Sequence, residues 1–294
     1  MKPPAFEYAT PFSVDEALAL LGQAPDETSL LAGGQSLMPL LNMRMAQPRV
    51  VVDLNRVEGL DAIERTPDGR LRLGAMVRQR QLESDPAVRE LLPLLADAAG
   101  HIAHVAIRTR GTVGGSLAHA DPAAELPATI AALEGRLLVR GPSGTRAIPA
   151  AEFFIGPLTS AIEPGELLVA VEVDPPPAGA GWSLHEIART HGAFALAGAA
   201  AVVHVGGDGR IDRARLALLG VGSVPYVAEW LDEMAVGEPP EEPLFRRIGE
   251  RVREEVAPFE DVHATAGYRK RVAAVLTARA FADAAARSNG RGPN

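Results

Sequence analysis

Two glycine-rich segments constrain this chain more than any other feature. The first is Ala32-Gly33-Gly34-Gln35-Ser36, followed by Leu37. The second is Arg108-Thr109-Arg110-Gly111-Thr112-Val113-Gly114-Gly115-Ser116, which runs on to Asp121-Pro122-Ala123-Ala124-Glu125. Adjacent glycines permit positive φ and let a ligand come close to the backbone. Successive amides in such a turn form an anion-binding nest. Ser36 stands where it can cap a following helix, whose N-terminus adds partial positive charge. Each segment therefore reads as a phosphate cradle, and the pair as a site for a ligand with two linked phosphates. The competing reading is a tight strand-to-helix turn for the first segment and an irregular loop for the second. Neither is a Rossmann fingerprint, because G-x-G-x-x-G is absent, nor a Walker A loop, because no Gly-Lys-Ser/Thr occurs.

The second segment also carries chemistry in its side chains. Thr112 and Ser116 offer hydroxyls, and Arg108 and Arg110 are placed to offset phosphate charge. Asp121 and Glu125 can accept from ribose or adenine groups.

The flanking pattern gives the surroundings. Ser13-Val14-Asp15-Glu16 is a capping box opening a helix through Ala17, Leu18, Leu20 and Leu21, with Gly22 as its stop. Thr28–Leu31 and Val50–Leu54 read as strands around a short helix at Leu37–Met43. Arg70–Leu73, Leu137–Val139 and Leu167–Val173 read as further strands. Arg78–Ser84, Ala87–Ala103 and Glu125–Leu133 read as helices. Asp174-Pro175-Pro176-Pro177-Ala178-Gly179-Ala180-Gly181 can continue neither a helix nor a central strand, so it marks a domain boundary. Beyond it, Ala195–Val205 and Ile211–Leu219 flank a glycine turn as a β-hairpin. Val224–Met234, Pro243–Val256 and Thr265–Ala286 read as helices, with residues 288–294 fraying.

Composition narrows the function classes. The net charge of -8 argues against nucleic acid and anionic membranes as partners. The absence of cysteine removes disulfides, catalytic thiols and every thiolate-held iron–sulfur or zinc site. No stretch approaches the roughly 20 apolar residues of a membrane span, and the N-terminus lacks a signal-peptide pattern. The expectation is a cytoplasmic protein that is not integral to a membrane.

Three blocks carry a family resemblance: Leu31–Leu37 with Arg44 and Val52-Asp53-Leu54, then Ile107–Ala118 with Asp121–Pro127, then Pro164-Gly165-Glu166-Leu167-Leu168. The chain resembles the FAD-binding medium subunit of molybdenum hydroxylases, the family of xanthine dehydrogenase and aerobic carbon monoxide dehydrogenase. The resemblance implies an α+β chain. Residues 1–176 would form a two-subdomain FAD-binding fold of the vanillyl-alcohol-oxidase/PCMH type, with subdomains at about 1–56 and 57–176. Residues 181–288 would form a smaller α+β C-terminal domain of the carbon monoxide dehydrogenase flavoprotein kind.

The implied cofactor is FAD. By resemblance, Ala32, Gly33, Gly34, Gln35, Ser36 and Leu37, with Thr112, Val113, Gly114, Gly115 and Ser116, hold the pyrophosphate. Asp121 and Glu125 match acidic positions near the adenosine half. Relatives often carry Asp at the second of these. Leu168 matches a position close to the cofactor, and Arg189 and Phe194 fall on a loop bordering the isoalloxazine. Relatives often have Tyr where Phe194 stands. The implied partners are a large subunit with the molybdenum cofactor and a small subunit with two [2Fe–2S] clusters, as a heterotrimer or its dimer. The chain would take electrons from the clusters and pass them through FAD to an external acceptor, with no catalytic acid or base and no metal of its own. The alternatives are a stand-alone flavin oxidoreductase, or an assembly module that has lost FAD. Gly33→Asp and Gly114→Asp are each expected to abolish FAD retention by setting charge beside phosphate.

Other candidates weigh less. His101 and His104, three apart on an expected helix, lack a third metal ligand. His119 near Asp121 suits a binding or structural role better than acid–base catalysis. Arg246-Arg247 and Arg269-Lys270-Arg271 read as solvated helix faces, with part of a subunit interface as the lesser reading.

Overall fold

The β-branched run Val50-Val51-Val52 is the centre of the first structural unit. In the computed structural model, which describes residues 2–288, it forms strand β3 (Val50–Asp53) between β1 (Glu7–Ala9) and β2 (Thr28–Leu31). Both neighbours pair with β3 in parallel. Helix α1 (Val14–Gln23) joins β1 to β2 and α2 (Leu37–Asn42) joins β2 to β3. The Ser13 cap forms as expected, its hydroxyl accepting from the Glu16 amide at 3.2 Å, while Glu16 reaches back to the Phe12 amide at 2.7 Å. Ala17, Val50, Val52 and Leu54 make a small core here, closed from the next unit by Leu167 and Val169.

The second unit is an antiparallel sheet with helices on one side. Its strands are β4 (Ile63–Arg65), β5 (Leu71–Gly74), β6 (Arg136–Gly141), β7 (Gly144–Pro149) and, returning later, β10 (Leu167–Val173). Their order is β4-β5-β10-β6-β7. Between β5 and β6 run α3 (Gln79–Leu82), α4 (Pro86–Leu91), α5 (Pro93–His101), α6 (Val105–Arg108), α7 (Val113–His119) and α8 (Glu125–Ala132). A small excursion, α9 (Ala150–Phe153), β8 (Phe154–Gly156) and β9 (Thr159–Ser160), precedes β10.

The third unit is the antiparallel sheet β11 (Gly181–Ala188), β12 (Ala195–Val205), β13 (Ile211–Leu219) and β14 (Tyr226–Val227), in that order. Helices α10 (Leu231–Ala235), α11 (Glu242–Glu255) and α12 (Ala266–Ser288) complete it. Strand β12 is almost unbroken Ala and Val because it is covered on both faces. Ala197, Ala199, Ala201 and Val203 face the C-terminal helices, whereas Ala200 and Val202 face the core of the second unit.

The structure departs from the sequence expectations at four places. The expected helix at 87–103 is broken at Leu92, because a residue before proline is driven out of helical ψ, and two helices result. His101 therefore ends α5 and His104 precedes α6, with Ala103 at φ 40° between them, so they do not share a helix face. The second glycine segment holds a regular helix, α7, capped by Thr112. The expected helix at 224–234 is instead strand β14 followed by the short α10. Pro225 lacks an amide, and Tyr226 and Val227 pair with Leu218 and Ala217. Residues 289–294, where fraying was expected, lie outside the described residues; Ser288 is the last residue of α12.

Candidate functional site

A cleft of about 690 Å³ opens where the three units meet. That volume falls within the usual range for small-molecule sites, roughly 300–1,000 Å³. Ala32, Gly33, Gly34, Gln35, Ser36 and Leu37 line one wall, and Thr112, Gly114, Gly115 and Ser116 line the wall adjoining it. Asp121, Glu125 and Leu168 also reach the cleft, and Gly192–Phe194 of the third unit border it. Val113 does not. Its side chain is in the core and its amide donates to Val77 O at 2.9 Å.

The first wall is built for an anion. Gly34 takes φ 73°, a conformation that favours glycine, and turns the chain from β2 into α2. The amides of Gly33, Gly34, Gln35 and Ser36 donate to no protein acceptor among the described residues. Ser36 occupies the cap position of α2, yet its side chain accepts no capping bond. Gln35 folds back so that Nε2 donates to Gly33 O at 3.0 Å. The site thus presents adjacent, unpaired donors at a helix N-terminus, the arrangement that binds phosphate.

The second wall uses its glycines differently. The Gly114 amide donates to Ala75 O at 2.7 Å and the Gly115 amide to Thr112 Oγ1 at 3.0 Å. A Cβ on Gly114 would stand 2.5 Å from Ala75 Cβ and 2.8 Å from its carbonyl oxygen. A Cβ on Gly115 would meet the Thr112 hydroxyl at 2.7 Å. These glycines allow close packing and approach rather than supplying free donors.

The arginines expected to face phosphate do not reach the cleft. Arg108 is buried. It donates to Glu83 Oε1 at 2.7 Å and to the carbonyls of Ile102 and Ala103 at 2.7 and 3.1 Å, locking α6 against the loops around it. Neither Arg110 nor any lysine or other arginine lines the cleft. Arg189 is also off the lining, its Nη1 lying 2.9 Å from His263 Nδ1. Phe194 stands at the rim, two-thirds exposed.

Two of the three carboxylates that line the cleft differ in state. Glu125 is buried at the start of α8, and loss of water pushes its carboxyl up to about 7. The negative field of Glu186 and Asp121 adds to the rise, and nearby His101 opposes it. Glu166 is held below its usual range by Arg146, which grips it with two hydrogen bonds at 2.7 and 2.8 Å. Sequence reasoning missed Gln79, whose Oε1 is buried at the cleft without a partner. Gln79 belongs to no recognisable motif. His104, weighed from the sequence only as a metal ligand beside His101, lines the cleft and meets His191 edge-on at 5.7 Å.

Residues 4–176 match the family described as the FAD binding domain in molybdopterin dehydrogenase, and residues 182–284 match the CO dehydrogenase flavoprotein C-terminal domain. The chain is 39% identical to 6-hydroxypseudooxynicotine dehydrogenase complex subunit alpha of Paenarthrobacter nicotinovorans, over 97% of this chain and 96% of that one. It is 40% identical to caffeine dehydrogenase subunit beta of Pseudomonas sp. strain CBB1, over 98% and 97%. A chain of the carbon monoxide dehydrogenase structure from Hydrogenophaga pseudoflava superposes with a TM-score of 0.94 at 37% identity, covering 98% of this chain and 99% of that one. The chain belongs to the family of FAD-binding medium subunits of molybdenum hydroxylases, and so is an oxidoreductase subunit.

The residues present fit FAD. A cradle of free amides lies against a second glycine segment packed closely on Ala75, Thr112 and Ala32. The orphaned Gln79 oxygen and the buried Glu125 carboxyl offer acceptors for ligand hydroxyl and N–H groups.

Proposed function

We propose that this chain is the electron-carrying flavin subunit of a three-part molybdenum hydroxylase. The observation that carries the reading is the set of unpaired amides at Gly33–Ser36 inside a cleft of cofactor size. Bound FAD would supply the redox chemistry, receiving electrons from [2Fe–2S] clusters on a small partner subunit and releasing them to an external acceptor.

The chain's own residues bind and orient. Ala32–Leu37 hold the diphosphate by their amides, with the Ser36 hydroxyl free to add a bond. Thr112, Gly114, Gly115 and Ser116 close on it from the adjoining wall. Asp121 and Glu125 accept from polar groups of the nucleotide. Leu167 and Leu168 supply apolar contact and exclude water, and Phe194 borders the mouth. No residue here serves as acid, base or nucleophile.

Substrate oxidation then belongs to a large partner subunit with the molybdenum cofactor. The chain has no cysteine with which to hold a cluster, which fits a division of labour among subunits. The relatives' names span caffeine, nicotine derivatives, glyceraldehyde and carbon monoxide. Such variety is expected where another subunit selects the substrate. We place the complex in the cytoplasm as a heterotrimer or its dimer. Among the described residues no helix is long and apolar enough to cross a membrane.

The test is a visible absorption spectrum of the purified full chain before and after addition of FAD. Flavin bands that survive desalting are expected. A chain that stays colourless after reconstitution, both alone and with its co-expressed partners, would overturn the reading.

A further inference from the structure

The two glycine segments touch without bonding to each other. A Cβ on Gly33 would stand 2.3 Å from Arg110 O and 2.8 Å from Gly111 Cα, and one on Gly115 would lie 3.4 Å from Ala32 Cβ. Among the described residues no hydrogen bond runs directly from residues 32–37 to residues 108–116. The segments also ride on different sheets. The first follows β2 of the parallel sheet, and the second is fixed to the residues after β5 of the antiparallel sheet.

A relay of two side chains ties them together. Asn55 Nδ2 donates to Ala32 O at 3.1 Å. Arg78 Nη2 donates to Asn55 Oδ1 at 2.5 Å, and Arg78 Nη1 donates to Arg110 O at 2.5 Å. Both ends of the relay are anchored. The Asn55 amide donates to Asp53 Oδ1 at 2.9 Å, just past β3. The backbone of Arg78 forms an antiparallel bridge with Thr112, flanked by Gln79 N to Gly111 O and Val113 N to Val77 O, both 2.9 Å. Arg78 therefore sits on the strip that carries the second segment and reaches across to the first.

The geometry of this junction matters because, among the described residues, no lysine or arginine lines the cleft. A diphosphate there depends on donors held at the right distance and angle, and hydrogen bonds weaken steeply outside that geometry. We infer that Arg78 and Asn55 are positioning residues for the diphosphate cradle, fixing the spacing across which the two glycine segments hold their ligand. The inference rests on the FAD reading above. Arginine suits the task because its planar fork serves two acceptors at once, which a lysine ammonium does with far less directional control. Asn55 is exposed and Arg78 only part-buried, and neither lies in a hydrophobic core. Their loss should therefore loosen the cradle without unfolding the chain.

The experiment uses the full-length chain as wild type, Arg78→Gln, Arg78→Lys, Asn55→Ala and the Arg78→Gln/Asn55→Ala double variant. FAD binding is followed by flavin fluorescence and ADP binding by calorimetry, and the ligand-free melting temperature is measured for each. Wild-type FAD binding tests the cofactor reading by itself. The ratios of variant to wild-type ADP affinity test the relay, since ADP carries the diphosphate without the flavin. Each single variant is expected to weaken both ligands about tenfold, the scale of one lost hydrogen bond to a charged group. Melting temperatures should stay within about 2 °C of wild type. The double variant should bind no worse than the weaker single, because the two residues act in one chain of bonds. Arg78→Lys should remain impaired. Full rescue by lysine would make Arg78 a source of charge and overturn the inference. So would multiplicative losses in the double variant, unchanged ADP affinity in the singles, or melting temperatures that fall in step with affinity.

Discussion

The two glycine segments look alike in sequence and differ in what their backbones have left to give. At Gly33–Ser36 the amides are unpaired and face the cleft. At Val113–Gly115 they are already donated, to Val77 O, Ala75 O and the Thr112 hydroxyl. The first segment is glycine-rich so that the chain can turn and expose donors. The second is glycine-rich so that α7 can pack against Ala75. A glycine motif therefore marks a close approach: at Gly33 and at Gly114 the approaching group is the protein itself, and the first segment alone also keeps unpaired amides for a ligand.

The largest expected effect separates these roles. Gly114→Asp buries an unpaired carboxylate against Ala75, where even a Cβ is 2.5 Å from its neighbour. Overpacking and an unpaired buried charge together should cost more than about 4 kcal/mol, and the variant should not yield a folded chain. The sequence expectation, loss of phosphate binding alone, understates this. Gly33→Asp intrudes on Arg110 O and Gly111 at the cleft wall. Its Cβ clash with Arg110 O, 2.3 Å, is no looser than that at Gly114, but Gly33 is only half-buried and the added carboxylate keeps its water. The variant should fold with an overpacking cost of about 1–3 kcal/mol and lose FAD. Circular dichroism melts and flavin content after desalting read both effects. A folded, wild-type-stable Gly114→Asp chain would collapse the distinction.

A smaller effect tests the carboxyl side of the cleft. Burial lifts Glu125 from an ordinary carboxyl value to about 7 in the folded chain. Because the folded pKa exceeds the unfolded one, the native state binds this proton more tightly. The resulting stability is fully present at pH 4 and below, and is lost as pH rises through about 7. Glu125→Gln removes the ionisation. It should match wild type near pH 4 and exceed it above pH 7, by on the order of 2 kcal/mol. Denaturant unfolding of the ligand-free chain at pH 5 and pH 8 checks the sign. Equal stability gains at both values would mean that Glu125 is solvated through the cleft and titrates normally.

What the sequence made legible was local. The Ser13 cap, the glycine hairpin and the long C-terminal helix each depend on neighbours a few residues away, and all formed. Where the outcome depended on distant partners, residue type was a poor guide. Arg108 beside a phosphate motif suggested a phosphate ligand. Its actual partners, Glu83 and the carbonyls of Ile102 and Ala103, are recognisable only once α3 and α6 are packed together. Val113 reads as part of the loop, but Val77 O takes its amide and the core takes its side chain. Gln79 carries no motif, yet folding leaves its oxygen orphaned at the cleft.

The smallest effect sharpens the comparison furthest, because it sets one hydroxyl of each segment against the other. Thr112 and Ser36 each stand at the N-cap of a helix, Ser36 after Gly33 and Gly34, Thr112 before Gly114 and Gly115, which lie inside α7. Only Thr112 uses its oxygen as a cap, accepting from the Gly115 amide at 3.0 Å. Ser36 makes no such bond. In the ligand-free chain, Thr112→Ala should cost about 1 kcal/mol, the usual worth of an N-cap, and Ser36→Ala less than about 0.5 kcal/mol. In FAD binding the order should reverse for Ser36. Its free hydroxyl is worth about 1 kcal/mol to a phosphate oxygen, roughly fivefold in affinity. Thermal melts without ligand and flavin titrations with it separate the two. Equal stability losses at both positions would mean that Ser36 caps α2 after all, and that the first wall has less left to offer an anion than its unpaired amides suggest.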